Sequence, residues 1–275
     1  MKSLVLALCL SAFSSASLSV FAAEAEQQTT AISQPQLNEL FHMRLAIQKS
    51  IGDFYMFNSQ EQDQHYATRA RDNLAQAIDY LNKMPVQNEP NAQTLIIKMQ
   101  RDLNTYSEQL NELITAITEL GYSDLQPIAD LAAVNGSILK AGQDLQQLIM
   151  QEHQYSPPEL TLLAREQSIL ILEIAADYAA RSASIGASFF AVGEKKPLDQ
   201  LSEEFASNLQ TLQNNPHNTD STGQSLRAIQ VKWRYIESSL KNYNEDSVPF
   251  VIDKYARSIA QSLEQLATQY ALLNI

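Results

Sequence analysis

Residues 91–121, NAQTLIIKMQRDLNTYSEQLNELITAITELG, decide the fold class. Leu95, Met99, Leu103, Tyr106, Leu110, Leu113 and Ile117 recur at three- and four-residue steps, which sets them on one face of an α-helix. Gly121 ends the run as a left-handed C-terminal stop. The stripe is broad and does not hold a strict heptad, so it suits a bundle core better than a long dimeric coiled coil.

The same pattern continues on both sides. A helix is expected from Pro35 to about Asn58, striped by Leu37, Leu40, Phe41, Ile47, Ile51, Phe54 and Tyr55. Ser59-Gln60-Glu61-Gln62 reads as a capping box for a second helix, which runs to about Lys83 before Pro85. A fourth starts near Ser123 or Pro127 and ends near Glu152. Ser156-Pro157-Pro158-Glu159 then combines a cap, two prolines and a glutamate, the clearest boundary in the chain. Four more helices follow: from there towards Val192, from Pro197 to about Asn215, from Ser221 to Asp246, and from Val248 to Leu273. Ala, Leu, Gln, Glu and Ile dominate, and most of these favour helix. The fold class is therefore all-α, with about eight helices. Short connections force neighbours antiparallel, so two tandem four-helix up-down bundles are expected.

The first residues point to a compartment. Met1-Lys2 is a positive start, Leu4 to Leu10 an apolar core, and Val20-Phe21-Ala22-Ala23 a small-residue end before Glu24. These are the three parts of a secretory signal peptide, cleaved after Ala22 or Ala23. The apolar stretch is too short to span a bilayer. The single cysteine, Cys9, lies inside this segment, which leaves a mature chain with no thiol for a disulfide, a metal or a nucleophile. Division of the chain follows: signal peptide 1–23, flexible leader 24–34, first bundle 35–153 and second bundle 154–275. A soluble periplasmic protein is the expected product. The whole chain carries −12, and loss of Lys2 with the signal makes it −13. Nucleic acid and anionic membrane surfaces repel such a charge, so neither is an expected partner.

The two halves resemble each other. Leu74 to Leu81, ending at Pro85, lines up with Phe205 to Leu212, ending at Pro216. Lys49-Ser50-Ile51-Gly52-Asp53-Phe54 lines up with Glu173-Ile174-Ala175-Ala176-Asp177-Tyr178, allowing a one-residue slip, and Gln93-Thr94-Leu95 with Gln224-Ser225-Leu226. Three matches in one order point to an internal repeat.

Chemistry-bearing patterns are scarce. Glu39-Leu40-Phe41-His42 is one Glu-x-x-His, but His65, His153 and His217 have no glutamate three residues before them, so a di-iron set is incomplete. There is no His-x-x-x-His, Gly-x-Ser-x-Gly or glycine-rich phosphate loop. The carboxylates fall at helical surface positions beside cations, as in Glu237 and Lys241. Trp233, Tyr235, Tyr243 and Tyr255 read as core at helical spacing. No catalytic residue, metal or cofactor is expected, and the chain does not read as an enzyme.

Ala164 to Tyr178, then Leu198-Asp199-Gln200-Leu201 with Phe205 and Leu209, then Ile229, Trp233 and Ile236, give the second half a resemblance. It resembles the PilJ/NarX-type sensor module, the N-terminal periplasmic domain of type IV pili chemotaxis transducers and of nitrate/nitrite sensor kinases. The first half looks like a weaker copy. The resemblance implies a periplasmic four-helix bundle whose first helix carries a Gln-Arg-Met-Leu-Ser-Gln-Arg run, where an arginine of the nitrate sensors grips the anion. Here the matching stretch of the second half is Gln167 to Glu173, with Ser168 and Glu173 in place of the two arginines. In the first half it is Met43-Arg44-Leu45-Ala46-Ile47-Gln48-Lys49, which keeps cations at both. Arg44, Gln48 and Lys49 are thus the candidate ligand-binding residues. The family's modules are tethered to transmembrane and signalling parts, and this chain ends at Ile275 with neither. The expected function is a sensory or accessory protein that binds a small ligand and relays to a membrane-bound receptor or sensor. The alternative is an envelope adaptor that binds only another protein, with a metal or haem carrier third. Helix-bundle sensors often dimerise, so a homodimer is expected by analogy.

Overall fold

The computed structural model describes residues 16–84, 89–183, 196–242 and 247–275, with side chains from residue 34 onward. Among these residues there are eight helices and no strand. They are α1 (Ala16–Ser59), α2 (Gln64–Lys83), α3 (Pro90–Leu120), α4 (Leu125–Glu152), α5 (Glu159–Ala183), α6 (Leu198–Gln213), α7 (Asp220–Lys241) and α8 (Pro249–Leu273). None of them is long and apolar enough to cross a membrane.

Packing sorts the helices into two rings of four. In the first half α1 lies against α2 and α4, and α3 against both of those. In the second, α5 lies against α6 and α8, with α7 closing the ring. The rings join through α1 and α5, which pack on each other along their length. These two helices are parallel: Arg44 meets Glu166 near one end, and Gly52 meets Ala176 further on.

Sequence explains which helices sit inside. α7 buries six of its 22 residues, a single stripe, whereas α5 buries fifteen of 25. A helix apolar around most of its circumference needs neighbours all round. The runs Leu40 to Phe57 and Leu160 to Ala180 have that character, with small residues where the backbones approach. As a result the cores interlock. Phe41 and Leu45 of α1 belong to the core of the second half, and Ala176, Ala179 and Ala180 of α5 to that of the first.

Burial repeats between the halves. Leu40, Ile47 and Phe54 of α1 match Ala164, Ile171 and Tyr178 of α5, each buried. Leu131, Asn135, Ile138, Gly142, Leu145 and Ile149 of α4 share their spacing with Ile252, Ala256, Ile259, Leu263, Leu266 and Tyr270 of α8. The register of Leu74 with Phe205 is the one read from sequence, and Asp53 aligns with Asp177 without the one-residue slip that the sequence reading allowed. The match of Gln93 with Gln224 is one residue off, because Met99, Leu103, Tyr106 and Leu110 align in burial with Ile229, Trp233, Ile236 and Leu240.

Several local readings change. α1 begins at Ala16, well before Pro35, which sits inside it, so the expected leader at 24–34 is helical. Its Ala-Glu-Ala-Glu-Gln-Gln run is made of helix formers. The expected signal peptide falls largely on residues 1–15, outside the described residues. Ser59 closes α1 instead of capping α2. A tight turn with positive φ at Glu61 and Gln62 intervenes, and Asp63 caps α2 by accepting from the His65 N–H at 2.9 Å. Ser156 donates to the Pro157 carbonyl at 3.1 Å and so does not cap α5. The capping box that does form is Thr219 with Thr222, at the start of α7. Gly121 adopts φ 85°, as the left-handed stop requires. Trp233 is buried against Phe205 at 4.5 Å, whereas Tyr235 is 60% exposed and pairs with Tyr255 at the surface. Tyr243 lies outside the described residues.

Candidate functional site

The α1–α5 pair has two unlike sides. On one, α2 and α8 press close. Asp53 of α1, completely buried, accepts from the Arg257 Nη2 of α8 at 2.6 Å and from the Asn73 Nδ2 of α2 at 2.8 Å. Arg69 of α2 adds a second guanidinium at 3.0 Å, and Arg257 also donates through Nε to Asp253 at 2.7 Å. Burial pushes the Asp53 carboxyl up to about 6, even though Arg257 and Arg69 pull it down. Beside this cluster lies a pocket of about 470 Å³, on whose edge Lys49 pairs with Glu264 at 3.3 Å.

On the other side α4 and α6 stand away, and a cavity of about 1230 Å³ opens between them and the α1–α5 pair. Arg44 lies at its margin, 5% exposed. Its guanidinium grips Glu166 in a fork, Nη1 to Oε1 at 2.8 Å and Nη2 to Oε2 at 2.9 Å, while Nη1 also donates to Gln146 Oε1 at 2.8 Å. Gly142 of α4 makes room for this side chain, since a Cβ there would lie 2.9 Å from Arg44 Cγ. The geometry is that of a bidentate, charge-assisted pair, which holds α1, α4 and α5 in register.

Polar atoms without partners gather along the same cavity. Arg44 Nε, Asn135 Oδ1 and Gln167 Oε1 are buried with no hydrogen-bond partner, and all three residues line it. Buried polar atoms left unpaired cost free energy unless something satisfies them. Ile51, Ile128, Leu139, Leu163 and Leu170 supply apolar wall. Glu173 and Asp177 add two carboxylates one turn apart on α5, and Lys196 reaches Glu204 at 2.6 Å near the other end.

Of the three residues singled out from sequence, Arg44 and Gln48 share this cavity. Lys49 points to the opposite side of α1, into the smaller pocket. Consecutive residues 48 and 49 diverge because one helical step turns by about 100°. Asn135, Gly136, Gly142 and Asp177 were not singled out. The two glycines carried a usable signal, since glycine inside a helix costs about 1 kcal/mol against alanine and calls for a reason.

His42 is half-buried, stacked on Tyr80 at 5.3 Å, and burial lowers its pKa. No histidine is found among the described cavity-lining residues, and no group of three His, Cys, Asp or Glu among the described residues could hold a metal. Comparison with family models, with curated proteins and with solved structures finds no match.

Proposed function

We propose that this chain is an exported binding protein of the bacterial cell envelope, a sensory or accessory module that takes a small ligand between α1, α4, α5 and α6 and relays its presence to a membrane-bound partner. The observation that carries this reading is the cavity itself. At about 1230 Å³ it exceeds the roughly 300–1,000 Å³ usual for small-molecule sites, and it combines apolar wall with convergent polar groups. Three of the residues that line it, Arg44, Asn135 and Gln167, each also hold a buried polar atom without a partner.

The signal-like first residues and the sequence resemblance to the periplasmic sensor module support the proposed location and relay. The packing suggests how a relay would work. α4 and α6 are the walls that stand off the α1–α5 pair, so a ligand bridging them to α1 and α5 would favour a closed arrangement over an open one. The role is binding, without turnover. Arg44 and Gln48 remain the proposed ligand-facing residues from α1.

A thermal-shift screen of nitrate, nitrite, small carboxylates and amines tests the reading, because a ligand that binds only the folded state raises Tm. A shift that disappears when Ala132 on the α4 wall is replaced by Trp places the ligand in the cavity. An adaptor reading has one observation in its favour: Val231 and Tyr235 lie exposed one turn apart on α7, at 61% and 60%. No shift with any compound, together with an envelope protein that copurifies through α7, would favour it.

A further inference from the structure

The repeat lets the outer face of α7 be compared with that of α3, its counterpart in the first half. Met99, Leu103, Tyr106 and Leu110 match Ile229, Trp233, Ile236 and Leu240 in burial, so the positions between them match as well. On α3 the charges close on one another: Asp102 takes Lys98 at 2.5 Å and Arg101 at 3.5 Å. On α7 the place of Asp102 is held by Lys232, and that of Thr105 by Tyr235. A face that pairs its cations has become one that leaves them open.

Arg227, Ala228, Val231, Arg234, Tyr235 and Ser238 are exposed at three- and four-residue steps, which makes one stripe along α7. Tyr255 of α8 packs on Tyr235 with ring centroids 4.6 Å apart and widens the stripe, and Lys254 is exposed beside it. Lys232 Nζ donates to Ser262 Oγ of α8 at 2.9 Å, which holds its charge between the two helices. Among the described residues none of Arg227, Lys232, Arg234 and Lys254 forms an ion pair. The carboxylates of α7 and α8 serve other cations or stand apart. Glu237 pairs with Lys241 at 2.8 Å, Asp253 with Arg257 at 2.7 Å and Glu264 with Lys49 at 3.3 Å, and Asp220 is the first residue of α7. Residues 227–241 thus hold four cations and one carboxylate, in a chain of formal charge −12.

We propose that the outer face of α7, with Tyr255 and Lys254 of α8, docks an acidic face of a partner protein, whose carboxylates meet Arg227, Lys232, Arg234 and Lys254 around an apolar contact on Val231 and Tyr235. This rests on the reading above that a protein partner exists, and it gives that partner a docking face and a charge. Tyrosine and arginine carry much of the binding energy in protein interfaces, and complementary charge selects the partner. A second copy docked through the same face would set these cations against each other, which disfavours a symmetric dimer here. An anionic bilayer is the poorer fit. The exposed stripe of α7 has one large aliphatic side chain, where a helix lying in a membrane interface buries several Trp, Phe or Leu, and the acidic remainder of the chain is repelled.

Ultraviolet crosslinking in the chain's native cells tests the proposal, with benzoylphenylalanine in place of Val231 and, in a second variant, in place of Ile97, which is exposed on α3 at the position matching Arg227. Mass spectrometry identifies the partner and the crosslinked segment. The Val231 variant is expected to capture a different protein at a segment richer in Asp and Glu than in Lys and Arg. The purified partner is then expected to bind the combined Arg227→Glu and Arg234→Glu variant at least about tenfold more weakly than wild type, at unchanged Tm, and to bind less tightly as salt rises. The combined Arg227→Lys and Arg234→Lys variant, which keeps the charge, is expected to retain most of the binding. A neutral or basic crosslinked segment, capture of another copy of this chain, or binding undiminished by the charge reversals would overturn the proposal. Adsorption to phosphatidylglycerol vesicles with no protein adduct would overturn it as well. A partner caught at Ile97 and not at Val231 would overturn it yet leave the partner reading standing. No adduct at either position would take both readings down.

Discussion

Gly52 of α1 and Ala176 of α5 occupy matching positions in the two halves and face each other, so that a Cβ on Gly52 would lie 3.8 Å from the Ala176 Cβ. Two repeats meet at equivalent positions only on the axis that relates them. The parallel α1–α5 pair is therefore the pseudo-twofold seam of the molecule, and its small residues set the spacing. Gly52→Ala keeps an ordinary van der Waals contact and is expected to be tolerated. Gly52→Leu forces the seam apart and is expected to cost about 1–3 kcal/mol in urea unfolding. A leucine variant as stable as wild type would mean that the seam is not closely packed.

Because each half borrows core residues from the other, the two should not unfold separately. Trp233, the single tryptophan, is 2% exposed in the second half and reports on that half alone. Its fluorescence transition in urea is expected to coincide with the loss of helical circular dichroism of the whole chain. Two separated transitions would contradict the shared core.

Arg44 and Glu166 form a pair whose members are unequally buried, with 6% and 39% of their side chains exposed. Removing one partner strands the other. Glu166→Ala leaves a buried guanidinium and is expected to lose about 2–3 kcal/mol, lower than for a fully buried pair because Glu166 meets solvent. Replacing both residues by Met is expected to recover most of that loss, since buried pairs are often matched by apolar residues of similar size. Additive losses in the double variant would rule out the coupling.

Two glycines of α4 should respond in opposite ways. Gly136→Ala meets open space and gains helix propensity, so a stabilisation of about 1 kcal/mol is expected. Gly142→Ala drives a methyl against the Arg44 stem, which offsets that gain by about 1–3 kcal/mol. Thermal unfolding of the two variants side by side reads the difference, and equal stabilities would mean that Arg44 does not pack on Gly142.

Much of the architecture was legible in the sequence, and the reason is periodicity. Stripes such as Leu95 to Ile117 follow from one-sided burial, and Gly121 stops α3 because a left-handed residue is needed there. The matching of Lys49–Phe54 with Glu173–Tyr178 was legible too, as both segments serve the same seam. Helix starts were read less well. Ser59 and Ser156 look like caps, but the turns that follow them take up the chain differently, and only tertiary packing decides that. Arg44 and Gln48 came to notice through a family likeness. The cavity they line arises from α4 and α6 standing off the seam, a property of helix placement that no local pattern encodes. Gly136 is visible in the sequence only as a glycine inside a helix, and the open space beside it follows from packing.

Asp53 makes stability depend on pH in a stated direction. Burial holds its folded-state value at about 6, above the ordinary 3.8, so the folded chain keeps a proton that the unfolded chain releases. The resulting stability is present below about pH 4 and fades as pH rises through about 6, a change on the order of 3 kcal/mol. Asparagine does not titrate. The margin of wild type over Asp53→Asn is therefore expected to shrink between about pH 4 and about pH 7. A margin that grows with pH would show that the two arginines outweigh burial.

Methyl NMR of the isoleucine- and leucine-labelled protein, titrated with a compound that raises Tm in the screen, tests the central claim most directly. Saturable shifts confined to Ile51, Ile128, Leu139, Leu163 and Leu170 are the expected result. Shifts centred instead on core methyls far from the cavity, such as Ile229 and Leu240 on α7, or no saturable shift at all, would contradict the assignment of this cavity as the binding site.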